Sequence, residues 1–148
     1  MAEREVHTKP MLKTSDIIWQ DAQHQVLFEI LDLIKQPGSV SRVIIRLRDY
    51  TETHFEFEER YMLALDFPDR EEHVHAHNQF RREIDLLLKG GEPDAQFREL
   101  IATFLSQWLR RHVFDADKKL EAYILDADGS RDSVHFPPEA QVHQGHQE

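Results

Sequence analysis

The segment His73-Val74-His75-Ala76-His77-Asn78-Gln79-Phe80 (residues 73–80) decides the fold of this chain. His73 and His77 are four residues apart, so on an α-helix they lie on one face, one turn apart. Phe80 and Ile84 continue the same face with apolar side chains. Two imidazoles inside an apolar stripe gain little unless they share a partner, and a histidine pair at this spacing is a common way for a helix to bind a metal ion. The segment therefore predicts a buried helix that carries metal ligands.

Proline and glycine residues set the limits of this helix and of three others. The breaks lie at Pro37-Gly38, Phe67-Pro68-Asp69, Gly90-Gly91-Glu92-Pro93 and from Gly129 onward. Between the breaks, apolar residues recur at the helical period. The predicted helices run from about Ser15 to Lys35, from Val40 to Leu65, from just after Pro68 to Lys89, and from Pro93 to Asp126. Short connections predict an all-α, up-down-up-down four-helix bundle over residues 15–126, with a leader (1–14) and a polar tail (127–148) that we expect to be flexible.

Two details of these helices are also predicted from residue types. Thr14 or Ser15 is expected to cap the first helix, and Ser39 the second, because hydroxyl side chains satisfy free backbone N–H groups at helix starts. The inner face of the fourth helix is expected to include Phe97 and Phe104, which recur at helical spacing with other apolar residues.

The other three helices also carry ionisable residues inside their apolar stripes: His24, then His54 with Glu58, then His112. Alone, His24 or His112 would more often be a core histidine held by a hydrogen bond. His54 and Glu58, four residues apart, would as often be a simple hydrogen-bonded pair. Buried ionisable groups without partners cost several kcal/mol. Because every helix contributes at least one, the pattern favours a single shared site at one level of the bundle.

The donor set indicates which metals fit such a site. Five histidines with carboxylates are too many ligands for one tetrahedral zinc ion and suit two ions bridged by carboxylates. Imidazole and carboxylate ligands in a bundle core are typical of di-iron or di-manganese centres. The carboxylate-rich, ferritin-like type uses Glu-x-x-His twice, whereas here the spacing occurs once, as Glu72 and His75. The sequence therefore lacks the ferritin-like ligand pattern.

The spacings resemble those of the hemerythrin family. The matching stretches are Trp19-Gln20-Asp21-Ala22-Gln23-His24, His54-Phe55-Glu56-Phe57-Glu58-Glu59, residues 73–80, and Trp108-Leu109-Arg110-Arg111-His112 followed by Asp117. The family pattern is a lone His, then H-x-x-x-E, H-x-x-x-H and H-x-x-x-x-D. All seven ligand positions are filled with the expected residue types, in order and on four helices.

The resemblance implies a role for each of these residues. His73, His77 and His112 would bind one iron ion, and His24 and His54 the other. Glu58 and Asp117 would bridge the two iron ions together with an oxo or hydroxo group. The iron with two histidines would keep an open position, and dioxygen would bind there.

One implied ligand conflicts with regular helix geometry. At 100° per residue, Asp117 lies about 140° around the helix from His112, whereas Asp115 lies about 60° away. Geometry alone would select Asp115 as the ligand, but the family pattern selects Asp117. We therefore expect the helix to be irregular between His112 and Asp117, for example through a π-bulge, or the side chain to absorb the long reach.

A dioxygen complex survives only where water is excluded. Phe55, Trp108, Leu109 and Val113 flank the ligands in sequence and are expected to form a dry pocket, although ordinary core packing would explain them equally well. Glu59 is expected to be a group outside the ligand set.

Composition excludes several other functions. The net charge of −10 and the lack of a basic patch argue against nucleic acid and anionic membranes as partners. The chain has no cysteine, which excludes disulfides and thiolate sites. No signal peptide or membrane span is recognisable, so we expect a cytoplasmic, monomeric protein. The tail, which holds three of the histidines, is a candidate contact for a protein partner.

Three functions are compatible with such a site. The first is reversible dioxygen binding for storage, delivery or scavenging, by a protein that is not an enzyme. The second is an oxygen, nitric oxide or redox sensor that acts through a partner. The third is a di-iron peroxidase or an iron-oxidising enzyme, ranked last because no separate proton donor is evident near the ligands.

Overall fold

The structure, a computed structural model, describes residues 12–128 of the 148-residue chain. Its helices are α1 (Ile18–Asp32), α2 (Val40–Ala64), α3 (Arg70–Lys89), α4 (Ala95–Arg111) and α5 (Asp117–Asp128). A 3₁₀ turn, Leu33–Lys35, extends α1, and a π-helical turn, His112–Ala116, joins α4 to α5. The fold is therefore the predicted all-helical bundle, with α4 and α5 forming the fourth rod. None of the helices in the described range is long and apolar enough to cross a membrane.

The ends of the helices follow the residue types found there. Ser39 caps α2 as predicted, since its hydroxyl accepts a hydrogen bond from the Arg42 N–H at 3.1 Å. The prediction of a cap for the first helix is wrong, because α1 begins only at Ile18 and neither Thr14 nor Ser15 caps it. Both residues are buried instead, with 4% and 3% of their surface exposed. Residues 1–11 and 129–148, most of the predicted leader and tail, lie outside the described residues.

Two groups of buried apolar side chains fill the bundle, one on each side of the ionisable residues. The larger group comprises Leu27, Ile30, Leu31, Ile34, Val40, Ile44, Leu47, Phe55, Phe80, Ile84, Ile101, Ala102, Leu105 and Leu109. The smaller group comprises Ile17, Tyr61, Met62, Phe67, Leu120, Ile124 and Leu125. Along every helical rod, the predicted ligands lie between residues of the two groups. The packing therefore fixes all the ligands at one level of the bundle.

The predicted inner face of the fourth helix includes two residues, Phe97 and Phe104, that are not buried. Phe97 and Phe104 are 50% and 41% exposed, whereas Ile101, Ala102 and Leu105 are buried. At 100° per residue, Phe97 and Phe104 lie about 100° around the helix from the centre of the buried set. They therefore flank the core and face solvent on one side.

Candidate metal centre

Seven ionisable side chains from the four rods meet between the two apolar groups. All are at most 5% exposed: His24, His54, Glu58, His73, His77, His112 and Asp117. These are the residues that the sequence singled out, and the structure brings all seven together. His75, which the spacing placed off the face of its neighbours, is exposed on α3. A buried cluster of this size needs internal pairing, because isolated charges in a core are costly.

The cluster divides into two sets of potential ligands. The three-histidine group contains Glu58, His73, His77, His112 and Asp117, and the two-histidine group contains His24, His54, Glu58 and Asp117. Within each group, one ligand atom from every residue lies within 4.8 Å of the others. Both groups share Glu58 and Asp117. Two cations held by these groups would therefore be bridged by the same two carboxylates.

The two oxygens of Asp117 face different groups. Its Oδ2 atom lies 2.9 Å from Nε2 of His24 and 3.2 Å from Nε2 of His54. Its Oδ1 atom lies 3.1 Å from Nε2 of both His73 and His112. Each oxygen is thus directed at the imidazoles of one group, which is the arrangement a bridging carboxylate requires.

Glu58 is divided in the same way. Its Oε1 atom lies 3.3 Å from Nε2 of His73 and 3.2 Å from Nε2 of His77. Its Oε2 atom lies 3.2 Å from Nε2 of His54 and accepts a hydrogen bond from the Gln20 amide at 3.0 Å. The oxygens of Glu58 are therefore directed at opposite groups, as those of Asp117 are.

A π-helical turn brings Asp117 into the cluster. The Asp117 N–H donates to the carbonyl of His112, five residues earlier, so this turn holds one residue more than an α-helical turn. The extra residue puts His112 and Asp117 on one face. Asp115 is exposed, whereas Asp117 is 1% exposed. The predicted irregularity of the helix is confirmed, and simple α-helical geometry would have selected Asp115, which lies outside the buried cluster.

Outer hydrogen bonds fix the orientation of three imidazoles. The Nδ1 atoms of His24, His54 and His77 lie 2.8, 2.7 and 2.8 Å from oxygens of other side chains. These oxygens belong to Thr14, Gln23 and Glu59, respectively. If Nδ1–H donates outward, the Nε2 lone pair is left facing the cluster, which is the tautomer that binds a metal ion. Glu59 therefore supports His77 from outside the ligand set, as expected.

Without a cation, the cluster is held by shared protons. Burial opposes the charge on His54, but Glu58 and Asp117 outweigh it and raise its pKa to about 10. Burial and then Glu58 oppose the charge on Asp117, yet His112 and His24 hold its pKa well below the usual range. For His77, burial dominates and lowers the pKa. The protons are therefore shared unequally among the buried imidazoles.

The geometry fits divalent cations better than protons. Nε2 of His77 lies 3.1 Å from Nε2 of His112, so only one of the two nitrogens can carry a proton between them. A cation accepts both lone pairs and removes this conflict. Imidazole with carboxylate is a donor set for iron, zinc, copper or nickel rather than for calcium or magnesium. The residues present therefore fit a pair of transition-metal ions.

Apolar side chains enclose the three-histidine group. The Phe55 ring stacks on His77 with centroids 3.8 Å apart, and the Trp108 ring stacks on His112 at 4.8 Å. Phe55 and Leu109 are fully buried and Val113 is 1% exposed, whereas Trp108 is only partly buried. These are the four residues expected to form a dry pocket, and three of them have almost no contact with solvent.

The model of the family named Hemerythrin HHE cation binding domain matches residues 16–124, a range that contains all seven residues. The chain belongs to the hemerythrin family. It therefore contains a cation-binding domain, and the cluster of histidines and carboxylates is where that domain can hold metal ions.

Three relatives of this hemerythrin-family chain carry the name bacteriohemerythrin. The protein from Stenotrophomonas maltophilia is 29% identical over 69% of this chain and 77% of the relative. The Clostridium acetobutylicum protein is 25% identical over 67% of this chain and 86% of its own length. The Pseudomonas paraeruginosa protein is 26% identical over 68% and 76%, respectively. No solved structure matches the chain significantly.

Sequence reasoning missed the polar residues that hold the ligands from outside. The sequence places Thr14 in the leader and offers it only as a helix cap, and it gives no role to Gln20 and Gln23. One signal was available: Gln20 lies four residues before His24, on the same helical face, where an amide interrupts the apolar stripe. Thr14 carried no comparable signal, because it lies before the first helical turn.

Proposed function

We propose that this chain binds dioxygen reversibly at a carboxylate-bridged di-iron centre, for storage, delivery or scavenging of oxygen. His73, His77 and His112 would hold one iron ion, and His24 and His54 the other. Glu58 and Asp117 would bridge them together with an oxo or hydroxo group. The observation that carries the proposal is that the two potential ligand groups share both carboxylates, each with its oxygens divided between the groups.

The unequal number of histidines supports dioxygen binding at one ion. The three-histidine group offers one imidazole more than the two-histidine group. The ion in the two-histidine group would therefore keep a position for an external ligand. A pair of ferrous ions held there would supply the electrons that reversible binding of dioxygen requires. The protein supplies the ligands, their orientation and a site without bulk water.

Side chains around the cluster would protect the bound state. Phe55, Leu109 and Val113 have almost no exposed surface, and Trp108 covers His112 from the outer side. An apolar wall excludes water and stray protons, which would otherwise promote oxidation of the centre. Phe55 also lies beside His54 of the two-histidine group, with ring centroids 6.1 Å apart, so the four residues remain our proposed pocket. The name of the three relatives is compatible with this function, and we extend it to the present chain as part of the proposal.

Anaerobic loading with ferrous iron tests the proposal. The wild-type protein should take up about two iron ions per chain, and its optical spectrum should change in air and revert when oxygen is removed. His77→Ala should lose this behaviour. His75→Ala is the matched control, because His75 lies on the same helix but is exposed, and it should behave as the wild type does.

Other results would favour the alternatives or refute the site. Uptake of no iron by the wild type, or the same loss in both histidine variants, would refute the proposed centre. Rapid irreversible oxidation with turnover of peroxide or ferrous ion would favour an enzyme. A large oxygen-dependent change of shape or of partner would favour a sensor. The cytoplasmic location, the monomeric state and a partner bound through the tail remain predictions.

A further inference from the structure

The short segment before α1 contacts the buried cluster of potential metal ligands directly. Thr14 and Ser15 are consecutive polar residues, and both are almost completely buried although they precede the first helix. Buried hydroxyls need partners, because an unpaired buried polar group costs free energy. Their partners include His24 and Gln20, and Gln20 in turn contacts the Glu58 carboxylate.

Thr14 determines which nitrogen of His24 carries the proton. The Asp21 carboxylate accepts hydrogen bonds from the Thr14 N–H at 2.7 Å and from the Thr14 hydroxyl at 2.8 Å. A hydroxyl has one proton, and here it is donated to Asp21. The Thr14 oxygen therefore acts as acceptor toward His24, so the Nδ1–H of His24 donates to it at 2.8 Å. Because the Nδ1 proton is held in this way, a bound cation can replace the contact of His24 Nε2 with Asp117 at 2.9 Å.

Ser15 orients the residue that holds Glu58. The Ser15 hydroxyl donates to Oε1 of Gln20 at 2.7 Å, and Nε2 of Gln20 donates to Oε2 of Glu58 at 3.0 Å. The Ser15 oxygen also accepts from the Ile17 N–H, which fixes it in place. Because the Gln20 amide is held at its oxygen end, its N–H₂ group must face the carboxylate. Oε2 is the oxygen of Glu58 that faces the two-histidine group.

Both connections lead to the same half of the cluster. We propose that Thr14 and Ser15 are positioning residues for the two-histidine group, holding His24 and Glu58 in the form that binds a cation there. The three-histidine group is supported differently: His77 donates to Glu59, which pairs with Arg81 on α3. The proposal rests on the metal-binding part of the proposed function. It predicts that the two metal positions can be weakened separately.

Titration of the full-length, metal-free protein with Co²⁺ alone tests this selectivity. If the two groups differ in affinity, the titration shows two binding phases. His24→Ala should remove the phase of the two-histidine group, and His112→Ala should remove the phase of the three-histidine group. Thr14→Val keeps the size of the side chain but removes the hydroxyl. It should weaken the phase that His24→Ala removes by about 10–100-fold, as is typical when the partner of a ligating histidine is lost. The phase that His112→Ala removes should not change.

Two further variants separate positioning from general destabilisation. Thr14→Ser keeps the hydroxyl and should restore the affinity of the two-histidine group. Ser39→Ala removes a helix cap far from the cluster in sequence, and should leave both phases unchanged even where it lowers stability. Ser15→Ala should weaken the same phase as Thr14→Val, because it frees the Gln20 amide. Circular dichroism of every variant reports whether the helices are intact.

Each outcome decides something. The inference is wrong if folded Thr14→Val binds Co²⁺ in both phases as the wild type does, or if both phases weaken alike. Should Thr14→Val not fold, nuclear magnetic resonance of the zinc-loaded wild type decides: a slowly exchanging His24 Nδ1 proton is expected, and rapid exchange overturns the inference. If the wild type binds no divalent ion, the proposed function falls as well. If it binds two ions but the iron form binds no dioxygen, only the proposed function falls.

Discussion

Replacement of Phe55 by alanine is the sharpest test of how the core supports the metal centre. Phe55 is completely buried on α2. Its ring stacks on His77 at 3.8 Å with 11° between the planes. It also contacts the rings of His112 and Phe80 edge-on, with centroids 5.9 Å away in each case. The side chain therefore joins the larger apolar group to two of the predicted ligands.

The size of the effect follows from this burial. Truncation of a fully buried phenylalanine costs about 3–5 kcal/mol, because transfer free energy is lost and a cavity remains. Domains of this size are stable by about 5–15 kcal/mol in total, so Phe55→Ala should remove a large part of the stability. Phe104→Ala is the matched control, because it makes the same substitution at a partly exposed position. Phe104 is 41% exposed, and its loss should cost about 1 kcal/mol.

Urea unfolding of the metal-free wild type and both variants measures these differences. A second measurement is the lifetime of the iron-loaded protein in air. The cavity left by Phe55→Ala lies beside His77 and His112 and should admit water, so oxidation of the centre should be faster than in Phe104→Ala. A loss below about 1 kcal/mol, or equal losses in the two variants, would refute the role given to Phe55.

Three further predictions concern the ionisable residues. Asp117→Asn should abolish two-ion uptake, whereas Asp115→Asn, at an exposed position, should not; iron analysis after anaerobic loading would show the opposite if Asp115 were the ligand. Glu59→Gln should weaken Co²⁺ binding in the three-histidine phase by about 10–100-fold, because His77 loses a charged acceptor; unchanged affinity would contradict this. In the metal-free protein, the raised pKa of His54, about 10, contributes stability that is full below its unfolded value of 6.5 and is lost as the pH rises toward 10. Urea unfolding of that form should therefore show stability falling above neutral pH, and a constant or rising stability would count against the shared protons.

The four helical rods, and the position of the cluster along them, could be predicted because both follow from the fixed repeat of the α-helix. His73 and His77 share a face on any α-helix, as do His54 and Glu58, whatever surrounds them. The breaks at proline and glycine gave the helix limits to within a few residues. The resemblance to the hemerythrin pattern then implied the seven predicted ligands, Asp117 among them, and the structure brings these residues together.

The supporting contacts could not be predicted, because they join residues that no local rule connects. Gln20 and Glu58 are 38 positions apart and meet only after α1 packs on α2. Thr14 reaches His24 from outside any helix, so helical periodicity gives no information about it. The error at Phe97 and Phe104 has another origin: apolar residues covered more of the helix surface than the core could bury. Tertiary packing selects which part of a wide stripe becomes the interior.

The π-helical turn shows how one inserted residue serves both the site and the core. Measured at 100° per residue from His112, Leu109 lies at about +60°, so the buried face before the turn is centred near +30°. On the same scale, Asp117, Leu120 and Ile124 lie at about +140°, +80° and +120°, a face centred near +113°. All five residues are buried in the structure. A regular α-helix would therefore turn the second face away from the first by about 80°.

A π turn contains one extra residue, which accounts for about 100° of rotation along the sequence. This nearly cancels the angle of about 80° between the two buried faces. The π turn between His112 and Asp117 consequently does more than deliver one carboxylate to the cluster. It keeps Leu120 and Ile124 in the smaller apolar group while α4 keeps Leu109 in the larger one. The change in helical angle between the buried residues before and after the turn can be read from their spacing in the sequence. Core packing and the assembly of the buried cluster therefore require the same irregular turn, and a straight helix would satisfy neither.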